Sequence, residues 1–161
     1  MKLYQFLKYG VGVFFNILNL LLGGNLPPLA CAGVVVEERG CLLVMKQPNG
    51  CYSFPGGFMR WREQPAQTAQ RECREETGIS IRTGTMVGSY IITSQRFHRM
   101  STLTIIYRGK VIGGHLRPSL EGEPCWLSAE KLRGHLTPFH EDVLADYLHN
   151  VDTKMHVKQA R

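Results

Sequence analysis

A chain of 161 residues with 43% hydrophobic content has room for one domain with a real core. Lys and Arg outnumber Asp and Glu by 19 to 13, a formal net charge of +6, which favours anionic partners: phosphorylated small molecules, nucleic acid or an acidic membrane surface. The basic excess is scattered, which counts against a specific nucleic-acid partner, and the odd count of five cysteines without a CxxC pair argues against a disulfide framework.

No charged residue occurs from Gly10 to Val36. Within that stretch, Val11 to Leu22 is too short and too interrupted by Asn16 and Asn19 for a spanning helix, which needs about 20 apolar residues. Gln5, Lys8, Gly12, Asn16 and Asn19 recur at spacings of three and four, which predicts a helix with a narrow polar stripe. Gly23 to Pro28 (GGNLPP) ends it. Three readings of this segment compete. It lies in a membrane interface, with Phe6, Phe14, Leu18 and Leu21 toward lipid; it packs on its own domain or on a twin chain through residues 1–26; or it is a secretory signal ending near Ala30–Ala32. The asparagines and the odd cysteine count weigh against the third. The expected organisation is therefore a helix and linker over 1–29, a domain over 30–150 and a flexible polar tail over 151–161. The expected compartment is cytoplasmic, with membrane association through the first helix as the variant.

From Ala30 the pattern changes to strands. Ala30–Glu38 and Cys41–Gln47 are rich in apolar and β-branched residues and are separated by the turn Arg39-Gly40. Further strands are predicted at Thr85–Ser94, Ser101–Ile112 and Glu123–Ser128. Ser128–Gly134 reads as a short helix. Thr137–Asn150 reads as an amphipathic one, capped by Thr137, with Phe139, Val143, Leu144, Tyr147 and Leu148 on its apolar face.

The most informative stretch is Gly56–Ile79, GGFMRWREQPAQTAQRECREETGI. Pro65 in the first turn and Gly78 past the last bracket a helix from about Gln64 to Thr77. Ala66, Ala69 and Cys73 form its packing face. Glu72, Glu75 and Glu76 project together at i, i+3 and i+4, where like charges repel by a few tenths of a kcal/mol, roughly. Three glutamates alone would read as a solvated helix face. As a cluster they offer hard oxygen ligands to Mg²⁺ or Mn²⁺, ions that take further oxygens from a substrate phosphate. Glu63 in the preceding loop can reach back to the helix, and Arg71 can hold a carboxylate in place.

The wider spacing decides between the two. Gly57, Glu63, Arg71-Glu72, an apolar Cys73, Glu75-Glu76, Gly78 and an apolar Ile79 reproduce the complete Nudix box. Seven fixed identities match by chance in roughly one chain in a million. The chain thus resembles a Nudix hydrolase (MutT-like) from about Ala30 to Asn150. The resemblance implies an α/β/α sandwich around a mixed β-sheet, here with the extra N-terminal helix. It implies cleavage of a diphosphate in a nucleoside diphosphate derivative, a nucleotide or nucleotide-sugar, with Mg²⁺ or Mn²⁺. By position Glu72, Glu75 and Glu76 are the expected metal ligands with the Gly57 carbonyl as a fourth, and Arg71 and Glu63 organise helix and loop. Two departures concern the loop: Arg62 stands where the family usually has glycine, and Gln64 where it has a Ser or Thr cap.

Ser119–Trp126 resembles the family's second acidic segment, which makes Glu121 the first candidate general base and Glu123 the second; a box glutamate is the alternative, and a solvated turn around Gly122 is the plain reading. Phe58 and Trp61 flank the box glycines and offer stacking surfaces, Trp126 suits the core, and Arg96, His98 and Arg99 suit a terminal phosphate or a solvated hairpin. No proline lies between Pro65 and Pro118, where ADP-ribose hydrolases of this family tend to carry one. The expected partner is a phosphorylated small molecule. A ligand-sensing module without turnover and an RNA-directed pyrophosphatase are the competing functions.

Overall fold

The computed structural model describes residues 2–93, 100–149 and 155–158, with side chains over 10–93 and 100–149. Arg96, His98 and Arg99 lie outside these residues. The elements in chain order are α1 (Lys2–Leu21), β1 (Leu29–Glu38), β2 (Cys41–Lys46), β3 (Tyr52–Ser53), β4 (Gly56–Phe58), α2 (Pro65–Thr77), β5 (Ile79–Ile92), β6 (Thr102–Gly114), β7 (Glu123–Ser128), α3 (Ala129–Leu132), α4 (Pro138–Leu148) and β8 (Met155–Lys158).

The sheet runs β3-β2-β1-β6-β5-β8, with β4 paired to β1 and β7 to β2. It is mixed, because β1 pairs with β6 in parallel and with β2 and β4 antiparallel. Side chains alternate across a strand, so a strand in a central layer needs apolar residues on both faces. β1 meets that demand: Val34 and Val36 join Ala69 and Cys73 of α2, whereas Val35 joins Val143 and Leu144 of α4. β2 divides likewise, Leu43 toward α2 and Leu42 and Val44 toward α4. The result is the expected three-layer α/β/α arrangement, with α2 and α4 on opposite faces.

Several boundaries differ from the sequence expectation. β5 starts at Ile79, directly after the left-handed Gly78 (φ 80°) that ends α2, and not at Thr85. Ile79 and Ile81 are buried against α2 and carry the strand through register shifts. The tail expected to be loose contains β8, which pairs in parallel with Ser89–Ile92 of β5. An open sheet edge presents unpaired N–H and C=O groups, and a strand laid along it satisfies them. At α4, Thr137 has the extended backbone of a cap but no side-chain cap bond. The Glu141 carboxylate instead accepts from the Gly134 and Leu136 N–H groups. Leu148 is 42% exposed and does not join the apolar face of that helix, while Trp126 packs against the α2-side core as expected.

α1 forms as predicted and ends at Gly23 and Gly24, both with positive φ. Its asparagines are partly occupied by backbone: Asn16 Nδ2 donates to Gly12 O and Asn19 Oδ1 accepts from Leu26 N–H. Its exposed side is apolar, with Phe14 at 69% and Leu21 at 77%. Among the described residues no helix is long and apolar enough to cross a membrane.

Candidate active site

α2 is oriented by burial of Ala69 and Cys73 on the sheet, which turns Arg71, Glu72, Glu75 and Glu76 toward the strand-loop-helix corner made by β4. Pairing of β4 with β1 places Gly57 opposite Ala32. A Cβ on Gly57 would stand 2.6 Å from the Glu72 carboxyl carbon, so a side chain here would push this carboxylate out of the position in which Arg71 holds it. The four box residues, Gly57 and Glu121 all line one cleft of about 550 Å³.

Arg71 is the organising group. Its Nε and Nη2 take the two Glu63 oxygens at 2.7 and 2.8 Å. Nη1 reaches Glu72 at 2.6 Å and Glu75 at 3.1 Å, and Nη2 also donates to Phe58 O at 3.1 Å. One planar cation thus ties the loop to the helix, a task for which the guanidinium fork is suited. Hydrogen bonding to Arg71 holds the Glu63 carboxyl down at about 2, and Thr68 Oγ1 donates to the same group at 2.8 Å.

Glu76 sits in a different environment. It is 6% exposed, accepts from Gly56 N–H at 3.2 Å, and lies in hydrogen-bond contact with Glu121. Burial first, then Glu121 and Glu72, push its pKa up to about 9. Burial also raises that of Glu72, against Arg71, which lowers it. Glu76 is buried while Glu121 is exposed, so the charged form of Glu76 is costly unless a cation or a proton offsets it. The carboxylate oxygens of Glu72 and Glu76, beside the Gly57 backbone in the same cleft, are donors of the type a hard divalent cation takes. Glu75 does not converge with them here: Arg60 and Arg71 hold its two oxygens. Accordingly, no group of three or more His, Cys, Asp and Glu among the described residues is arranged around a single metal position.

The remaining candidates separate cleanly. Glu121 reaches the site, whereas Glu123 starts β7 on the exposed surface and is not part of the cleft. Phe58 lines the cleft; Trp61, 89% exposed, does not. Sequence reasoning missed Arg60, Gln47, Phe139 as a cleft residue, and His140. Burial pushes the His140 imidazole down to about 4. Its Nδ1 accepts from Phe54 N–H at 3.3 Å, so the neutral ring carries its proton on Nε2. No local pattern marks His140, since its partner lies 86 residues away.

The departures from the box have local explanations. Arg62 has φ 65°, the left-handed region that glycine occupies without strain. Gln64 supplies the extended residue before α2, and its N–H is taken by Gln67 Oε1 at 2.9 Å. Replacing Arg62 by glycine is expected to stabilise the fold by about 1 kcal/mol, raising Tm by about 2–4 °C in thermal unfolding. An unchanged or lower Tm would show that the loop holds no strain there.

Comparisons with known proteins agree with this geometry. A family model described as NUDIX domain matches residues 27–147. The MutT-like protein of Streptomyces ambofaciens is 32% identical over 127 residues, 76% of this chain and 79% of its own. The ADP-ribose pyrophosphatase of Methanocaldococcus jannaschii is 27% identical over 125 residues, 76% of this chain and 73% of its own. In fold, a NUDIX hydrolase from Nitrosomonas europaea aligns with a TM-score of 0.70 at 20% identity, over 84% of this chain and 80% of that one. The MutT protein from Methanosarcina mazei aligns at 0.65 and 23%, over 80% and 99%. Nudix enzymes act on phosphorylated small molecules and generally need a divalent metal. A full box on the right helix, a cleft above it and a family match spanning the domain lead to one assignment: the chain belongs to the Nudix family and is a pyrophosphohydrolase.

Proposed function

We propose that this protein hydrolyses the diphosphate linkage of a nucleoside diphosphate derivative, using Mg²⁺ or Mn²⁺ held by Glu72, Glu76, Glu75 and the Gly57 carbonyl. The observation that carries this reading is the cleft itself. It brings the box carboxylates and Glu121 into the same space as uncharged, partly aromatic groups (Gln47, Phe139, His140) suited to the organic part of a substrate. When bound, the cation neutralises charge developing on the phosphates and lowers the pKa of a water. The chain's own residues do the rest. Arg71 and Glu63 hold the loop against α2, so the carboxylates are oriented before substrate arrives. Glu121, in contact with Glu76, is the group we assign to take the proton as water oxygen bonds to phosphorus and the P–O bond to the leaving phosphate breaks. With no box carboxylate lost, a sensing module without turnover is disfavoured, and scattered basic residues disfavour an RNA substrate.

The odd cysteine count supports a reducing, cytoplasmic location. Residues 1–26 are assigned no catalytic role, and the exposed Phe14 and Leu21 of α1 are suited to a lipid interface or a twin chain. The deciding experiment is a screen with Mg²⁺ or Mn²⁺ of nucleoside triphosphates, ADP-ribose, NADH, dinucleoside polyphosphates and coenzyme A. Turnover of at least one is expected, abolished by EDTA and restored by metal. Full turnover in chelator would overturn the metal assignment, and binding without turnover of every compound would restore the sensing reading.

A further inference from the structure

The loop ahead of α2 puts a cation where the proposed reaction needs carboxylate oxygens. Arg60 Nη2 lies 3.1 Å from both Oε1 and Oε2 of Glu75. With Arg71 Nη1 also 3.1 Å from Oε2, both oxygens of this carboxylate are occupied by guanidinium groups. A divalent cation that uses Glu75 as a ligand competes with these two guanidinium groups for its oxygens.

The two arginines are not equivalent. The Arg71 side chain is 11% exposed and fixed by Glu63, Glu72 and the Phe58 carbonyl. The Arg60 side chain is 63% exposed, and among the described residues Glu75 is its partner; its bond to Glu63 comes from the backbone N–H. Exposed ion pairs are weak and break readily. Arg60 is therefore the group that leaves. It lines the same cleft as the box carboxylates, so a guanidinium released from Glu75 stays beside the space assigned to the phosphates. Its planar fork matches phosphate oxygens bidentately.

We propose that Arg60 is a substrate-phosphate-binding residue parked on Glu75 in the free enzyme, so that its transfer couples cation binding to binding of the anionic substrate. This rests on the reading of Glu75 as a cation ligand. Coupling of this kind is reciprocal: the diphosphate draws Arg60 off Glu75 and tightens the cation, and the cation releases Arg60 for the diphosphate.

The test is Mn²⁺ binding, followed by electron paramagnetic resonance, to the wild type and Arg60→Gln, with and without methylenediphosphonate. Without the anion, Arg60→Gln is expected to bind Mn²⁺ about two- to fivefold more tightly, the range for loss of an exposed ion-pair competitor. The diphosphonate is expected to tighten Mn²⁺ in the wild type and to do so several-fold less in the variant. For the substrate identified by the screen, KM is expected to rise about tenfold, with the loss falling chiefly on KM rather than kcat. Equal Mn²⁺ affinities and equal responses to the diphosphonate in the two proteins would overturn the proposal alone. Failure of the wild type to bind Mn²⁺ would overturn it together with the metal reading.

Discussion

Glu76→Gln is expected to lower kcat by about a thousandfold while leaving the protein as stable as the wild type, or more so. Glu76 is the most buried of the box glutamates, and in the free enzyme it faces a second carboxyl, Glu121. Burial makes its charged form costly, which is why its pKa rises to about 9. Glutamine keeps the shape, can still accept from Gly56 N–H, and can donate to Glu121. It removes the negative charge that the proposed cation needs, together with the repulsion that the cation relieves. Stability and activity therefore move in opposite directions, an outcome characteristic of a group retained for chemistry rather than for folding. Steady-state rates and thermal unfolding measured on one preparation check both halves. A wild-type rate would remove Glu76 from the site, and a large fall in Tm would make it a structural residue. Glu121→Gln separates the neighbours: a base should lose about a hundredfold in kcat with Mn²⁺ affinity retained, whereas a turn residue should lose nothing.

Arg71→Ala is expected to fail in the opposite manner, losing activity and about 3 kcal/mol of stability together. The substitution strands Glu63 and Glu72, which are mostly shielded from water, and frees the loop from α2. The loss should depend on pH in a defined direction. Arg71 lowers the Glu63 carboxyl from 4.5 to about 2. A folded-state pKa below the unfolded value means that the stabilisation is fully present above about 4.5 and disappears as pH falls through about 2. The difference between wild type and Arg71→Ala in urea unfolding should thus be largest at neutral pH and shrink below pH 4.5. A difference independent of pH would show that Arg71 acts through packing and not through this ion pair. Arg71→Lys should recover only part of the loss, because an ammonium cannot repeat the two-point contact with Glu63.

Much of this protein is legible in one dimension because its decisive features are local. The ends of α2 follow from Pro65 and Gly78, and the shared side of Glu72, Glu75 and Glu76 from the helical period. β1, β2 and β7 follow from short apolar runs between turn residues, and the box makes the family readable from seven fixed positions. Tertiary structure decided what depends on residues far apart in the chain. The parallel pairing of β1 with β6 has no local signature, nor does the seat of β8 on β5. Helical spacing allows three glutamates to share a point, but the rotamers answer to charges from elsewhere: Arg60 and Arg71 take Glu75, and Glu121 meets Glu76. The left-handed backbone of Arg62 and the neutral His140 tautomer arise in the same way, the first from loop closure over α2 and the second from the Phe54 N–H. A sequence determines which residues a helix or strand presents together; only the packed sheet determines which of them meet across it, because those meetings are set by distances that no local period encodes.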